Sequence, residues 1–380
     1  MPAAMANIRV GDDLISSSSA LLRVFLAVRK YISQTEDVSI DEIVDNLRAT
    51  EQMQPSSDHP DAQRLLVFSI LGWLSMVYQP AFNVCSFDEF AIHHDKTQPD
   101  SGLVFDTYRI SADLADRPLY VLLKSFGNLL PARKNTLGRL ASENSAVAST
   151  WLPIYPNETN MHNLHTLLRV SIRWVDTLAL HLDFDKSTRT LSLFSCPSIC
   201  LSMLKHGGAI YSFASADISA IDPRGNKEDI TEYLRNVLLS YRLLFAQSAA
   251  SRKFFRHHYS ASEELCNQVD TLLPILCTSK ELHLKSDLIP RDRPIYYAAR
   301  DFPVLYERME LLVTELKAAK PKSMRDLLHD RRDTLQYWTF WLVSIFGSIS
   351  IFLSLIQVIL QAVQTTYSLP SNTGKSSIWN

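Results

Sequence analysis

The strongest constraint on the fold lies near the carboxyl end, where 41 consecutive residues, Thr334 to Gly374, carry no charged side chain. Within this run, Trp338 to Ile356 is 19 residues long, and a helix of that length spans about 28 Å. The hydrocarbon core of a bilayer is about 30 Å thick. The run therefore predicts a transmembrane helix over 335–364 and a flexible tail over 365–380. The alternative is a helix buried in a soluble core.

The residues beside this run predict where the membrane helix begins and how it is oriented. Aromatic rings favour the headgroup layer, and basic residues are retained on the cytoplasmic side. The expected membrane-interface anchors are Arg331, Arg332, Tyr337, Trp338 and Trp341. Six bases lie between Val313 and Arg332, and one base follows the apolar run. We therefore expect a single-pass protein of an endomembrane, in contact with the lipid bilayer, with the bulk of the chain in the cytoplasm.

One face of the predicted membrane helix carries small or polar residues. At about 100° per residue, the positions that share this face include Gly347, Ser350, Ser354, Gln357 and Gln361. Small residues let helix backbones approach closely, and serine or glutamine side chains hydrogen-bond across helices. The pattern predicts a helix-helix face for self-association or for a partner membrane helix. The alternative is that the glutamines lie beyond the hydrocarbon, in the interface.

The rest of the chain has the composition of a helix-rich globular protein. Hydrophobic residues make up 46%, and 38 basic against 40 acidic side chains leave a net charge of −2. This balance excludes a disordered chain and a polyelectrolyte nucleic-acid binder. Only 10 of 380 residues are glycine, which argues against turn-dense β architectures. We expect a mainly α fold with a small β-hairpin element (α+β) and a long C-terminal transmembrane helix.

The N-terminal region, 1–143, is predicted to be helical, and its predicted elements follow one another in an order that is compatible with a winged helix. The expected elements are helices over Ala20–Ser33, Ser39–Arg48 and Leu65–Tyr78, and strands around Ala81–Phe90 and Leu103–Ile110. Ser39 and Glu42 have the spacing of a capping box. The predicted second and third helices lack a row of side chains able to meet phosphates and base edges, so we expect no nucleic-acid partner.

The second region, 159–333, is predicted to be mainly helical with a β-hairpin near 180–194. Leu180, Leu182 and Phe184 alternate with polar residues, and Leu191 and Leu193 alternate again after a turn at Lys186–Arg189. Such alternation favours a hairpin with its apolar side inward and its polar side, including His181, outward.

A basic and aromatic cluster follows a predicted helix over Ile230–Ala246. The cluster contains Arg252, Lys253, Phe254, Phe255 and Arg256. Such a cluster suits contact with an anionic membrane leaflet. The alternative is a solvated helix end with two core phenylalanines.

Motifs for known chemistries are absent from the sequence. No phosphate loop, dinucleotide turn, hydrolase elbow or H-E-x-x-H helix occurs. Cys196 and Cys200 are separated by Pro197, which is expected to break a helix, and no second cysteine pair completes a metal site. The five cysteines suit a reducing compartment, in which a sequon at Asn157 is unused. We expect no cofactor and no metal.

One constellation leaves an enzymatic alternative open. His162 and His165 share a predicted helix face, and His181, Asp183 and Asp185 share one side of the predicted strand. Two imidazoles and a carboxylate match an iron-type triad. The competing interpretation is an exposed polar strand face.

Three phrases of the sequence resemble a family of filamentous-fungal proteins whose activity is uncharacterised. These phrases are the segments 181–185 with 193–198, 296–303, and 330–333 with 337–341. The resemblance covers roughly Leu164 to Gln364 and, more loosely, the region from Leu65 to Leu130. It implies a helical cytoplasmic region and one C-terminal hydrophobic helix. Members are sometimes encoded beside secondary-metabolite gene clusters.

Two functions are consistent with these features. The first is a membrane-anchored interaction or accessory protein that performs no catalysis. The second is an accessory enzyme of the membrane surface, or a cluster protein in fungal secondary-metabolite biosynthesis, whose catalytic residues the sequence does not identify.

Overall fold

The structure is a computed structural model that describes residues 9–10, 13–15, 17–54, 60–81, 88–93, 107–127, 129–130, 152–214, 227–261, 270–279, 288, 291–319 and 334–368. The chain divides into two compact units, Met1–Lys320 and Pro321–Asn380. The first unit is mainly helical with small sheets, and the described part of the second is one long helix. The predicted fold class is confirmed. The boundary predicted between 143 and 159 falls inside the first unit.

Helices form most of the described part of the first unit. They are α1 (Ser18–Gln34), α2 (Ile40–Ala49), α3 (Pro60–Ser75), α4 (Leu119–Ser125), α5 (Met161–Leu168), α6 (Pro197–His206), α7 (Lys227–Tyr241), α8 (Ala249–Ala261), α9 (Leu272–Thr278), α10 (Ala298–Asp301) and α11 (Tyr306–Ala318). A π-helical segment, Arg242–Ala246, continues α7. Short 3-10 helices lie at Ala112–Asp116, Leu178–Leu180 and Ala209–Phe213.

The strands are short and form separate small sheets. They are β1 (Arg9–Val10), β2 (Asp13–Leu14), β3 (Glu89–His93), β4 (Thr107–Ser111), β5 (Pro153–Ile154), β6 (Ser171–Val175), β7 (Phe184–Asp185), β8 (Thr190–Phe194) and β9 (Tyr296–Tyr297). The pairs β1-β2, β3-β4 and β5-β9 are antiparallel. The remaining three strands form one sheet in the order β6-β8-β7.

Local sequence patterns account for the first three helices. One row of α1 is buried, formed by Ala20, Val24, Val28 and Ile32. Ser39 Oγ accepts from the Glu42 backbone N–H, and the Glu42 carboxylate accepts from the Ser39 N–H, so the predicted capping box is confirmed. The order of three helices and two strands is also as predicted. Both strands lie later in the chain than expected, and the likeness to a winged helix stays a prediction.

Helix α3 forms the centre of the N-terminal core. Phe68 is fully buried and stacks on Tyr78 and Phe90, with ring centroids 4.7 Å apart in both pairs. The Tyr78 hydroxyl donates to the Phe68 carbonyl at 2.6 Å. A Cβ added at Gly72 would lie 2.7 Å from the Tyr78 ring, so glycine is needed where the aromatic ring crosses the helix. This buried position confirms the interpretation of the segment as a core helix.

The β-hairpin prediction is confirmed in part and corrected in part. β7 and β8 pair antiparallel around the predicted turn, with Phe184 opposite Leu191. The predicted first strand is shorter, because Leu178–Leu180 is a 3-10 helix and Leu182 has a left-handed φ of 61°. β8 pairs along its whole length with β6, in parallel. Ser192 is therefore buried like its apolar neighbours, and the polar-outward alternation was wrong.

Candidate functional site

The C-terminal helix α12 (Thr334–Ser368) exposes its apolar side chains. Its segment Trp338–Thr366 is 29 residues long, and the most apolar 18-residue window in it has a mean hydropathy of 2.3 and is not buried by the described residues. At about 1.5 Å per residue this segment is roughly 43 Å long, which exceeds the ~30 Å hydrocarbon core. Within the described residues, α12 is the one helix that is long and apolar enough to cross a membrane.

The predicted interface anchors lie at the start of this helix or just before it. Trp338 is 69% exposed, and Trp341 is 39% exposed. Arg331, Arg332 and the side chain of Tyr337 lie outside the part of the chain that the structure describes. The two tryptophans are thus placed where rings can sit in a headgroup layer, and the anchoring role of all five residues stays a prediction.

The predicted helix-helix face is exposed along α12. Its members are Gly347, Ser350, Ser354, Gln357 and Gln361. The Ser354 hydroxyl donates to the Ser350 carbonyl at 2.9 Å, so this donor is satisfied within the helix. A Cβ added at Gly347 would meet no atom within 4 Å. Glycine is a poor former of helix interiors, so its presence on an open face is consistent with close approach by a second helix.

His181 is completely buried, which corrects the prediction that it lies on an outward polar strand face. Its Nδ1 accepts from the Phe194 backbone N–H at 3.2 Å, so its Nε2 carries the proton and donates to Ser240 Oγ at 2.7 Å. Ser240 donates in turn to the Val237 carbonyl. Burial, and secondarily the charge of Arg308, lower the pKa of His181 from 6.5 to about 3. The ring is neutral, and both nitrogens bond within the protein.

The backbone around His181 is held by side chains from two helices. Arg308 on α11 donates to the carbonyl of His181 and, at 2.7 Å, to the carbonyl of Ala179. Tyr233 on α7 donates to the Leu178 carbonyl. Sequence analysis missed Arg308 and Tyr233, because their partners are backbone atoms more than 50 residues away. The cluster joins α7 and α11 to the sheet.

The side chains of the proposed metal triad do not converge. Asp185 caps the hairpin turn, and hydrogen bonds from Ser187 and Thr188 lower its pKa to about 2. His165 Nδ1 lies 3.0 Å from the Val170 carbonyl oxygen. Among the described residues, no group of three or more His, Cys, Asp or Glu side chains is placed to hold a metal ion.

Cys196 and Cys200 lie on either side of a helix start. Pro197 occupies the first turn of α6, where its missing N–H is tolerated, and Cys196 precedes the helix, so no helix runs through both cysteines, as expected. Cys200 is fully buried, and burial raises the pKa of its thiol. Burial also raises the pKa of the half-buried Cys196 thiol. A raised pKa leaves less thiolate at neutral pH, which makes both groups poor nucleophiles.

Asp270 is a buried carboxylate that sequence analysis did not single out. One oxygen accepts from the Ser198 backbone N–H at 2.9 Å and from the Ser198 hydroxyl. The other accepts from the N–H groups of Leu272 and Leu273, at 2.8 and 2.9 Å. Asp270 therefore caps the N-termini of α6 and α9 together.

Arg242 is a fully buried cation at the start of the π-helical segment. Its guanidinium forms a bidentate pair with Asp292 and donates to the carbonyls of Leu276 and Ser279. Although π-helical turns often occur at functional sites, here the charged group ties three separate segments together.

The basic and aromatic cluster lies on α8. Phe255 is buried and contacts Trp174, and Phe254 is half-buried between His165 and His258. Lys253 and Arg256 are exposed. The phenylalanines therefore pack inward, as the second interpretation proposed, and only the basic residues face outward.

A polar cleft of about 670 Å³ lies where the C-terminal ends of α1 and α6 meet the start of α7. Its lining includes Arg29, Glu36, His206, Tyr211 and Lys227. Lys227 forms an ion pair with Glu36, and its hydrogen bond lowers the pKa of that carboxylate. Because cations and carboxylates are mixed and partly neutralise each other, the lining does not select one class of ligand.

The chain matches no known protein family, no curated protein and no solved structure. Its function is therefore inferred from its own residues.

Proposed function

We propose that the protein is a single-pass membrane protein whose Met1–Lys320 unit is anchored at a bilayer and acts as an interaction or accessory module. The observation that carries the proposal is the exposure of α12, since its most apolar 18-residue window has a mean hydropathy of 2.3 and is not buried by any part of the chain that the structure describes. Exposing this surface to water would cost roughly 25 cal/mol of free energy per Å² of apolar area. Contact with the hydrocarbon of a bilayer removes this cost.

Orientation is the second part of the proposal. The excess of bases before the helix favours a cytoplasmic Met1–Lys320 unit with a translocated C-terminal tail. The two tryptophans near the start of α12 are consistent with a membrane interface at that end.

An interaction role is favoured over catalysis by how the reactive side chains are used. His181 bonds to Ser240 and Phe194, and burial raises the pKa of the Cys200 thiol. The competing proposal is an accessory membrane-surface enzyme or a cluster protein of fungal secondary-metabolite biosynthesis; the family resemblance contributes only the gene-cluster context. It has less support because the residues named for it form internal contacts. Metal analysis of the purified full chain, with metabolite profiling of a deletion strain, tests it: bound metal and a lost metabolite would favour the enzyme.

Membrane anchoring is tested by fractionation of a detergent-free lysate. The full chain is expected in the carbonate-resistant pellet, and a chain truncated after Asp333 in the supernatant. A second variant, Leu353→Gln with Leu355→Gln, keeps the length but lowers the hydropathy, and should shift protein toward the carbonate extract. A full chain that remains in the high-speed supernatant would refute the proposal.

Orientation is tested with the native sequon and an added one. Asn157 is exposed on the Met1–Lys320 unit, so it would be glycosylated if that unit entered the lumen. We expect no glycan there and modification of a sequon appended after Asn380. Asn157→Gln controls for the native site. Glycan on Asn157 with an unmodified tail would reverse the topology.

Helix pairing is tested by crosslinking in native membranes. Gly347→Leu and Gln357→Leu are expected to reduce crosslinks to a second copy or to a partner helix. Phe352→Leu is the matched control, because this position lies on the opposite side of α12. Crosslinks that are unchanged in both variants would reject the predicted face.

A further inference from the structure

We propose that the outer face of α1 lies in the headgroup layer of an anionic bilayer, as a second membrane contact beside the C-terminal helix. The proposal rests on two exposed leucines one helical turn apart: Leu22 is 59% exposed and Leu26 is 55% exposed. At about 100° per residue, Leu26 lies opposite the middle of the buried row of α1 and Leu22 about 40° from Leu26. The leucines therefore point away from the protein core.

Basic residues flank the two leucines on both sides. Arg29 lies beside Leu22, and Lys30 and Arg23 lie beyond Leu26, all three exposed. No aspartate or glutamate occurs within Ser18–Gln34, so the helix carries a formal charge of +3. Apolar side chains in the middle of a face with Lys and Arg at its edges are the pattern of a helix that lies in a membrane interface.

The bilayer is favoured over a second copy of the chain by charge. A two-fold contact through this face would place the same cations of both copies against each other, which is destabilising. Anionic headgroups attract the basic side chains of this face while the acyl boundary takes up the leucines. Helix α8 lacks the same pattern. Its Lys253 and Arg256 are exposed, but its phenylalanines pack inward, so no exposed large apolar side chain lies between these bases.

The inference rests on the proposed membrane anchoring, which keeps α1 near a bilayer. A photoreactive benzoylphenylalanine at position 26 of the full chain, reconstituted into vesicles, reports the contact. The vesicles contain either phosphatidylcholine alone or phosphatidylcholine with phosphatidylserine. The same residue at Ser202, an exposed position of α6, is the matched control. Carbonate resistance of the same sample verifies the anchor.

We expect lipid adducts at position 26 to exceed those at position 202 severalfold in anionic vesicles and to fall in neutral ones. With the probe kept at position 26, Lys30→Gln should lower the adduct yield about fivefold, and Leu22→Gln should lower it as well. Lys253→Gln on α8 should leave it unchanged.

Three results would overturn the inference. An anchored protein without excess lipid adduct at position 26 refutes the contact and leaves the anchor intact. Adducts to protein at position 26 assign the face to a protein partner. Carbonate-extractable protein without lipid adducts refutes both proposals. Carbonate-extractable protein with lipid adducts supports the contact of α1 with lipid and refutes membrane anchoring by α12.

Discussion

Acidification to pH 5 is expected to destabilise the Met1–Lys320 unit through His181. The buried ring has a pKa of about 3 in the folded protein, against 6.5 for an exposed histidine. At pH 5 the unfolded chain therefore binds a proton that the folded protein excludes. The stability contributed by the neutral ring is fully present above pH 6.5 and is lost as the pH falls below that value.

The size of the effect follows from the two pKa values. Each unit of pH between them costs about 1.4 kcal/mol, so lowering the pH from 7.5 to 5 costs about 2 kcal/mol. This figure depends almost entirely on the unfolded pKa, because a folded pKa anywhere near 3 leaves the native ring neutral at pH 5.

His181→Gln separates this titration from that of all other groups. A glutamine amide can still donate to Ser240, but the Phe194 N–H loses its acceptor, which costs about 1–3 kcal/mol at pH 7.5. The variant lacks the His181 titration, so its deficit relative to wild type should shrink by about 2 kcal/mol at pH 5. The full chain in detergent micelles is unfolded with urea at both pH values and followed by tryptophan fluorescence.

The control is His93→Gln, at the exposed end of β3. This variant keeps His181, so it should retain the pH dependence of unfolding that His181 causes. A deficit of the His181→Gln variant that is the same at pH 7.5 and pH 5 would refute the argument, because a neutral buried ring requires the two values to differ.

Substitutions at three further residues test contacts that hold the first unit together. The free energy of unfolding in urea is the quantity measured. Asp270→Ala should cost about 2 kcal/mol because two helix N-termini lose their cap. Asp270→Asn should cost less because its amide oxygen still accepts hydrogen bonds at one helix N-terminus, and equal costs would contradict a stabilising role of those hydrogen bonds. Gly72→Ala should destabilise by about 1–3 kcal/mol despite the better helix propensity of alanine, because the new Cβ meets the Tyr78 ring. Gly347→Ala is the control, because its new Cβ meets no atom within 4 Å. An unchanged free energy of unfolding in Gly72→Ala would refute the packing argument. Arg242→Met should cost about 3–5 kcal/mol by leaving Asp292 and two carbonyls without their partner, and a smaller loss would show that these groups reach water.

Local patterns in the sequence were sufficient for several elements. The rows of α1, the Ser39 capping box and the turn at Lys186–Arg189 depend on residues within a few positions of each other. Their structures therefore follow from spacing alone. The pairing of β6 with β8 was missed because a parallel neighbour leaves no turn signal between the strands.

The buried polar contacts could not be predicted for a related reason. His181 and Ser240 are 59 residues apart, and Ser198 and Asp270 are 72 apart. A polar residue that alternates with leucines predicts an outward strand face unless a distant residue satisfies its hydrogen bonds. The sequence does not show which distant residue folds next to it. His181 was therefore assigned to the wrong side of the strand.

Helices α3 and α12 show what hydropathy can and cannot decide. Both are apolar, but the 16 residues of α3 reach only about 24 Å, and Phe90 and Tyr78 pack on its central Phe68. The 35 residues of α12 are longer than a bilayer is thick, and most of its described apolar side chains are exposed. Length and neighbours, rather than apolar content, distinguish the two, since a helix surrounded by aromatic rings needs no lipid. The same reasoning applies to Leu22 and Leu26, which lie on an otherwise well-packed helix and are more than half exposed among the residues that the structure describes.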